Sequence, residues 1–480
     1  MIRTRFAPSP TGFMHLGNLR TALYAYLIAK SQNGTLLLRI EDTDTNRFVP
    51  GALDFIYRAL EVVGIQYDEG PGKEGPFGPY IQSQRKDIYL KHAKELIKKG
   101  HAYYCFCAKE KVQDEREDDK QQHFRCNCPN LNKDEIDRSL TGKYIIRQII
   151  PKGITTFNDI VFGEITVDNS ELENQILIKT DGMPTYNFAN VVDDYLMKIT
   201  HVIRGTEYLS STPKYNLLYT SFGWDIPTYI HLPHILNENK QKLSKRKGDA
   251  NFEDLLEEGY LPEAVINYIA LLGWSPSFNQ EIFSLNDLKQ YFQISGLSKS
   301  PAVFDKVKLT WFNSEYIKSM DFLSFYNLAL PYLKKSIKKE VDLNKVARYT
   351  QSRINFIKEV SNLVDFIDNL PEYSTNLYVH KKMKTTEQSS LFALENIIPV
   401  LQKLEVFDKE VLQDSINRKI KELEIKNSAM LWPIRTALSG KETSFCGAIE
   451  LLELLGYDES LKRISIGIKK LKDSTSPPSS

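Results

Sequence analysis

Hydrophobic and polar positions switch period several times along the chain, and each switch predicts an element. Residues 2–6 form a short strand-like run. Leu19, Ala22, Leu23, Tyr26 and Leu27 then recur at helical spacing and predict a helix over 19–30. Residues 35–40, with Leu-Leu-Leu-Arg-Ile at their heart, have the length of a buried strand. Strand, helix and strand make a βαβ unit, whose strands are expected to run parallel. Between the first strand and its helix, Pro8, Pro10 and the Thr11-Gly12 pair exclude regular structure. Residues 68–79 are a turn-rich loop, and 88–99 a helix stopped by Gly100. Shorter runs at 144–149 and 163–167 read as strands of an insertion. The core is expected to resume with Ile176-Leu177-Ile178-Lys179, then 201–203 and 228–231. From 251 onward helices dominate; Leu391, Leu394, Ile398 and Leu401 keep helical spacing, as do Ile464, Ile468 and Leu471.

A chain of 480 residues is long enough for roughly three domains. Lys and Arg number 62 against 61 Asp and Glu, so no global field announces a nucleic-acid partner. Basic residues for such a partner must be local, because phosphate contacts dominate that affinity. Residues 321–480 hold 24 basic and 21 acidic side chains, which composition alone reads as an ordinary helical bundle. No apolar run reaches the roughly 20 residues of a membrane span, and the chemistry begins within the first ten residues, so a cytoplasmic protein is expected. Ser474 to Ser480, with two prolines and no apolar residue, reads as a disordered tail.

Candidate chemistry gathers where the parallel strands end, the edge at which such sheets bind ligands. His15 and Gly17 open the first helix, whose N-terminus offers unpaired N–H groups and a positive dipole to an anion. Glu41, Asp42 and Asp44 follow the second strand. Arg5 ends the first strand and Arg204 follows the run 201–203, so both open into one crevice. An Arg fork suits a carboxylate; Glu41, helped by Ser9, suits an ammonium. Lys242 and Lys245 lie in a basic loop of the kind that is usually only solvated. Cys105, Cys107, Cys126 and Cys128 form two C-x-C pairs separated by eighteen residues. Brought together in a hairpin they complete a tetrahedral zinc site; otherwise they are four independent thiols.

The stretch Phe6-Ala7-Pro8-Ser9-Pro10-Thr11-Gly12-Phe13-Met14-His15-Leu16-Gly17-Asn18 resembles the first signature of class I aminoacyl-tRNA synthetases, in the form of the glutamate–tRNA ligase family. Ile40-Glu41-Asp42-Thr43-Asp44 and Lys242-Leu243-Ser244-Lys245-Arg246 resemble further segments of that family. So do Asp181-Gly182-Met183-Pro184-Thr185-Tyr186 and Asn190-Val191-Val192-Asp193-Asp194. The resemblance implies an α/β fold: a Rossmann-like parallel-sheet catalytic domain with an α+β insertion, then an all-α anticodon-binding half. Its implied division is 1–80 with 181–240 for catalysis, 81–180 for the tRNA acceptor end, 241–320 for stem contact and 321–473 for the anticodon.

The implied activity is two-step attachment of L-glutamate to tRNA(Glu), using ATP with Mg²⁺ and releasing pyrophosphate; charging of tRNA(Gln) as well stays open. Implied ATP-side residues are His15, Gly17, Asn18, Glu207, Lys242 and Lys245, with His15 and the two lysines as the catalytic set. Implied glutamate-side residues are Arg5, Ser9, Glu41, Tyr186, Asn190 and Arg204. Arg353 lies where the family has an arginine that reads the third anticodon base. Some members hold structural zinc in the insertion; a common pattern there ends in a different fourth ligand, which makes His123 an alternative to Cys128. A glutamine–tRNA ligase reads differently around Ser9-Pro10-Thr11 and ends in β-barrels, and a non-catalytic tRNA-binding relative would not need His15, Gly17, Lys242 and Lys245 intact. Nothing in the sequence requires more than a monomer.

Overall fold

The computed structural model describes residues 1–12, 14–44, 49–107, 126–243 and 251–475. They divide into two compact units, Met1–Leu309 and Thr310–Ser480. In the first unit β1 (Arg3–Phe6), α1 (Leu16–Lys30) and β2 (Thr35–Leu38) form the expected parallel βαβ unit, with Arg5 opposite Leu37 and Phe6 opposite Leu38. Helix α1 buries residues all round its surface, including Leu19, Tyr24 and Ile28, so it is a core helix rather than a surface one.

The chain continues through α2 (Ala52–Val62), α3 (Lys86–Lys98), β3 (Ala102–Cys105), α4 (Lys133–Ser139), β4 (Ile145–Gln148), β5 (Ile154–Asp159), β6 (Gly163–Asp168) and β7 (Ile176–Ile178). Helix α3 stops where Gly100 adopts φ +77, a left-handed conformation that glycine enters without strain. Next come α5 (Tyr186–Leu196), β8 (His201–Gly205), α6 (Thr212–Phe222), β9 (Thr228–Leu232) and β10 (Ile235–Leu236). Helices α7 (Phe252–Glu258), α8 (Pro262–Leu271) and α9 (Leu285–Tyr291) precede β11 (Ala302–Val303), which pairs with β10.

Two pairings differ from the sequence expectation. Ile176–Ile178 does not resume the core sheet but closes an antiparallel sheet of order β3–β4–β7. Conversely, the hairpin of β5 and β6, inside the stretch expected to be an insertion, joins the core through β5, giving the order β6–β5–β9–β8. The reason is visible in β5, where Thr155, Phe157 and Asp159 alternate inward and Phe157 meets the Tyr229 ring edge-on at 6.0 Å. Strand pairing of this kind depends on partners seventy residues away, which local periodicity does not encode.

The second unit is helical: α10 (Lys306–Ser319), beginning in the first unit, leads into α11 (Phe322–Ser336), α12 (Leu343–Thr350), α13 (Val360–Val364), α14 (Glu387–Leu401), α15 (Lys409–Glu422), α16 (Asn427–Ser439) and α17 (Ala448–Thr475). Arg463 on α17 is buried and donates to the carbonyls of Phe366, Ile367 and Leu438, tying three segments together. Ser474 and Thr475, expected in the tail, complete α17; 476–480 lie outside the described residues. Among the described residues no helix is long and apolar enough to cross a membrane.

At the centre of the first unit Arg39 is fully buried and pairs with Glu41 at 2.9 Å and Asp194 at 2.8 Å. Asp194 also pairs with Arg5 at 3.1 Å, and Asp193 pairs with Arg85 at 2.7 Å while accepting from Gln82 and Tyr89. Three guanidinium groups thus face three carboxylates. Burial alone would raise the Asp194 pKa, but Arg5 and Arg39 more than offset it and hold the carboxyl below its ordinary range. Removing one partner strands the others in a dry interior. Arg39→Met is therefore expected to destabilise this unit by about 3–5 kcal/mol, read as an earlier urea transition; an unshifted transition would show that the network adds nothing.

Candidate active site

A cavity of about 750 Å³ opens at the carboxyl ends of β1, β2, β8 and β9. Its walls include Arg5 and Ser9 after β1, Glu41 after β2, Arg204 on β8, and Pro233 and His234 after β9. The proline-rich loop is stitched to its neighbour rather than flexing alone: Arg39 N–H donates to Phe6 O and Glu41 N–H to Pro8 O, both at 3.0 Å. One stretch of loop is thereby fixed against both Glu41 and the first turn of α1.

One side of the cavity carries three charged groups with spare capacity. Arg5 commits Nε to Asp194 and Nη1 to Ile203 O, while Nη2 donates to no described residue. Arg204 commits Nε to His231 and Nη2 to Thr212, while Nη1 donates to no described residue. Its guanidinium lies over Tyr215 at 4.6 Å and Tyr229 at 5.1 Å, and these rings restrict its plane. Glu41 accepts from Arg39 through Oε1 only. Burial raises the Glu41 pKa, against the lowering effect of Arg39 and Arg5. Tyr186 opens α5 and lines the cavity beside Tyr208, ring centroids 5.5 Å apart. Burial and the nearby Glu41 push its hydroxyl pKa well up, which keeps it a neutral donor. Asn190 is different. It is buried one turn later, its Nδ2 donates to Tyr186 O at 2.9 Å, and it is not part of the cavity wall.

His15, Gly17, Asn18, Glu207 and Lys242 line the same cavity. His15 is the N-cap of α1, and its Nδ1 accepts the Gly17 N–H at 3.1 Å. A ring accepting at Nδ1 carries its proton on Nε2 when neutral. The Gly17 amide, expected to face a phosphate, is thus engaged by the cap; a Cβ there would sit 3.3 Å from His15 Nδ1. Lys242 reaches the wall because the chain turns back after β10: Asn237 and Gln241 bond both ways, and Leu243 N–H donates to Ile235 O. Glu207 approaches His234 at 3.6 Å. Lys245 lies outside the described residues.

The four paired cysteines do not line the cavity. The sulfurs of Cys105, Cys107, Cys126 and Cys128 all lie within 4.8 Å of one another, with Cys105–Cys126 at 3.9 Å and Cys107–Cys128 at 3.7 Å. Tetrahedral zinc with Zn–S of about 2.3 Å spaces its sulfurs by about 3.8 Å, so the four thiols fit the ion. His123 lies outside the described residues. In the second unit Arg353 is exposed on the short turn Gln351–Arg353, and Cys446 is buried.

Sequence reasoning assigned no role to Arg39, Asp159, Asp194 or His231. A signal existed for two of them: Arg39 and His231 each interrupt an otherwise apolar or aromatic strand, and a charged or titratable group on a buried strand needs a partner. Which partner it finds is not local information.

Comparison with known proteins bears on the whole chain. The catalytic domain of class I tRNA synthetases (E and Q) matches residues 1–311, and an anticodon binding domain matches residues 324–468. A glutamate–tRNA ligase of Clostridium kluyveri is 56% identical over 478 residues, 98% of each chain. One of Clostridium tetani is 56% identical over 479 residues, again 98% of each. The crystal structure of a glutamate tRNA ligase from Elizabethkingia meningosepticum in complex with its amino acid has a TM-score of 0.87 at 35% identity, covering 98% of this chain and 99% of that one. Identity at this level extends through the sheet-based and the helical half alike, and the chain belongs to the glutamate–tRNA ligase family of class I aminoacyl-tRNA synthetases.

Proposed function

We propose that the cavity activates L-glutamate with ATP and transfers it to the terminal adenosine of tRNA(Glu). In the first step the α-carboxylate attacks the α-phosphate, forming glutamyl-adenylate and displacing pyrophosphate. Little covalent chemistry is asked of the protein; it must hold two anions together and stabilise charge that grows on the phosphates. The observation that carries this reading is the meeting, in one cavity, of Arg5, Glu41 and Arg204 with His15 and Lys242. The spare N–H groups of Arg5 and Arg204 suit the glutamate side-chain carboxylate, and Glu41 Oε2 suits its ammonium. Glutamine would leave a guanidinium unpaired in a desolvated site, a mismatch that costs heavily.

On the nucleotide side, His15 Nε2–H and Lys242 address the phosphates, with Lys245 contributing three residues further along the chain. Mg²⁺ accompanies ATP, coordinated mainly by phosphate and water. In the second step the 2′-hydroxyl of the terminal adenosine attacks the adenylate, as class I membership implies. The region 81–180 receives the acceptor end, 241–320 contacts the stem, and the helical half reads the anticodon, with Arg353 as a base-reading side chain. The four cysteines hold a structural zinc ion that joins the end of β3 to the segment beginning at Cys126.

Glutamate-dependent pyrophosphate exchange, run with and without tRNA, tests the activity; exchange in neither condition sinks it. Charging assays with separate tRNA(Glu) and tRNA(Gln) decide whether the second is also a substrate. Lys245→Ala is expected to lower turnover by about 10²-fold or more with little change in glutamate KM; an unchanged rate removes it from the mechanism.

Zinc analysis of the purified protein is expected to give about one ion per chain, the capacity of one Cys₄ site, and Cys126→Ser to reduce both metal content and melting temperature. Four freely titrating thiols in a metal-free, equally stable protein contradict that site.

The raised Glu41 pKa gives a pH signature. Protonation removes the ammonium acceptor, and a raised pKa brings protonation at higher pH. Thus kcat/KM for glutamate should fall on acidification at a pH above the ordinary carboxylate value of about 4.3. Glu41→Gln should lower kcat/KM and abolish that limb; an identical limb in the variant assigns it to another group.

A further inference from the structure

Arg204 is aimed without being neutralised. Arg204 and His231 are register partners on the parallel strands β8 and β9, so their side chains rise on one face of the sheet. Arg204 Nε–H donates to His231 Nε2 at 3.1 Å. On the other side of the ring, His231 Nδ1 meets Asp159 Oδ2 at 2.7 Å. An imidazole that accepts from a guanidinium at Nε2 carries its single proton on Nδ1, which fixes a neutral ring in one tautomer.

Asp159 is built to enforce that tautomer. Its Oδ1 accepts from the backbone N–H groups of Val161 and Phe162, both at 2.9 Å, and its Oδ2 from the His231 N–H at 3.0 Å. Three backbone donors lock the carboxylate in place and leave it only an acceptor's role toward the ring. The three side chains are nearly dry: Asp159 is 3% exposed, His231 0% and Arg204 5%. Burial lowers the His231 pKa and so favours the neutral ring.

The chain of contacts solves an electrostatic problem. Arg5, the other cation on this side of the cavity, is paired directly with Asp194. No described carboxylate pairs with Arg204; the nearest link to an anion runs through a neutral imidazole. An orienting carboxylate in direct contact would compete with an incoming carboxylate for the same charge. A neutral acceptor orients the guanidinium and leaves its charge available.

We propose that Asp159 and His231 are positioning residues for the substrate side chain: Asp159 holds the Nε2 lone pair toward Arg204, and His231 thereby points Arg204 Nη1 into the cavity with its charge unspent. The inference rests on the reading of Arg204 as a ligand of the glutamate side-chain carboxylate.

Two amides separate positioning from bulk structure, because each copies one nitrogen of the ring. In His231→Asn the amide nitrogen stands where Nδ1 stood, keeping the Asp159 contact but offering Arg204 no acceptor. In His231→Gln the amide oxygen stands where Nε2 stood and still accepts from Arg204. Aminoacylation by the full chain with tRNA(Glu) is measured against glutamate and against ATP. His231→Asn is expected to raise glutamate KM at least about tenfold, the scale of a hydrogen bond to a charged group. Its ATP KM should stay within about twofold, because uniform loss of binding to one substrate leaves the other unaffected. His231→Gln should remain within about threefold of the unsubstituted protein for both substrates.

Equal effects of Asn and Gln, or equal shifts in both KM values, overturn the proposal and leave His231 a packing residue. Asp159→Asn serves if His231→Asn fails to fold. Its amide nitrogen, turned to the ring, moves the imidazole proton to Nε2 and sets it against the Arg204 Nε–H. The same glutamate-only rise is expected, and an unchanged glutamate KM overturns the relay. Arg204→Ala distinguishes the two levels. If it leaves glutamate KM unchanged, the carboxylate assignment itself is wrong; if it raises KM while the His231 and Asp159 variants do not, only the relay fails.

Discussion

Arg39 has no access to solvent, so the whole of its charge must be answered by protein. The answer comes from Glu41, two residues further along the chain, and from Asp193 and Asp194 near the end of α5. Those carboxylates in turn hold Arg5 on β1 and Arg85 before α3. A charge buried this deeply is tolerated only when every partner is in place, so the network specifies one arrangement of β1, β2, α3 and α5. The side of the cavity lined by Arg5 and Glu41 is the rim of that arrangement. Arg5 and Glu41 belong to the network through one part of each side chain and to the cavity through another.

Rigidity acquired in this way matters because the chemistry is one of placement. A reaction between two bound anions gains from fixed positive groups that need no rearrangement as charge moves. Arg5 is braced by an ion pair and Arg204 by a neutral imidazole, and both keep one nitrogen without a partner among the described residues. Across the cavity His15 caps α1 with its ring nitrogen, and the backbone turn after β10 returns Lys242 to the wall.

Much of this was legible along the chain. The βαβ unit, the helix ended at Gly100, the strands leading to Arg204 and His231, and the helical second half all follow from periodicity and turn residues. Arg5, Ser9, Glu41, His15, Gly17 and Arg204 were readable as candidates because they stand at or just past strand ends or at a helix start, and Lys242 through its resemblance to a family signature; all seven line one cavity. Asn190 was read from a motif, yet its amide turns back to Tyr186 O and stays behind the wall. Helix geometry gives a fourth-residue neighbour as ready a partner as a substrate, and a motif does not say which is chosen.

What the sequence determined by itself was therefore which residues are available at the ends of which elements, since propensity and period act over a few residues. Only the tertiary structure decided that the β5–β6 hairpin joins β9, that Ile176–Ile178 leaves the core sheet for β4, and that Asp194 answers Arg39 and Arg5. It alone brought Cys105 and Cys107 against Cys126 and Cys128, and set Asp159 behind His231 behind Arg204. Each of these is a pairing between distant segments, fixed by burial: once solvent is excluded, a charge or hydrogen-bonding group must find its partner wherever the fold supplies one.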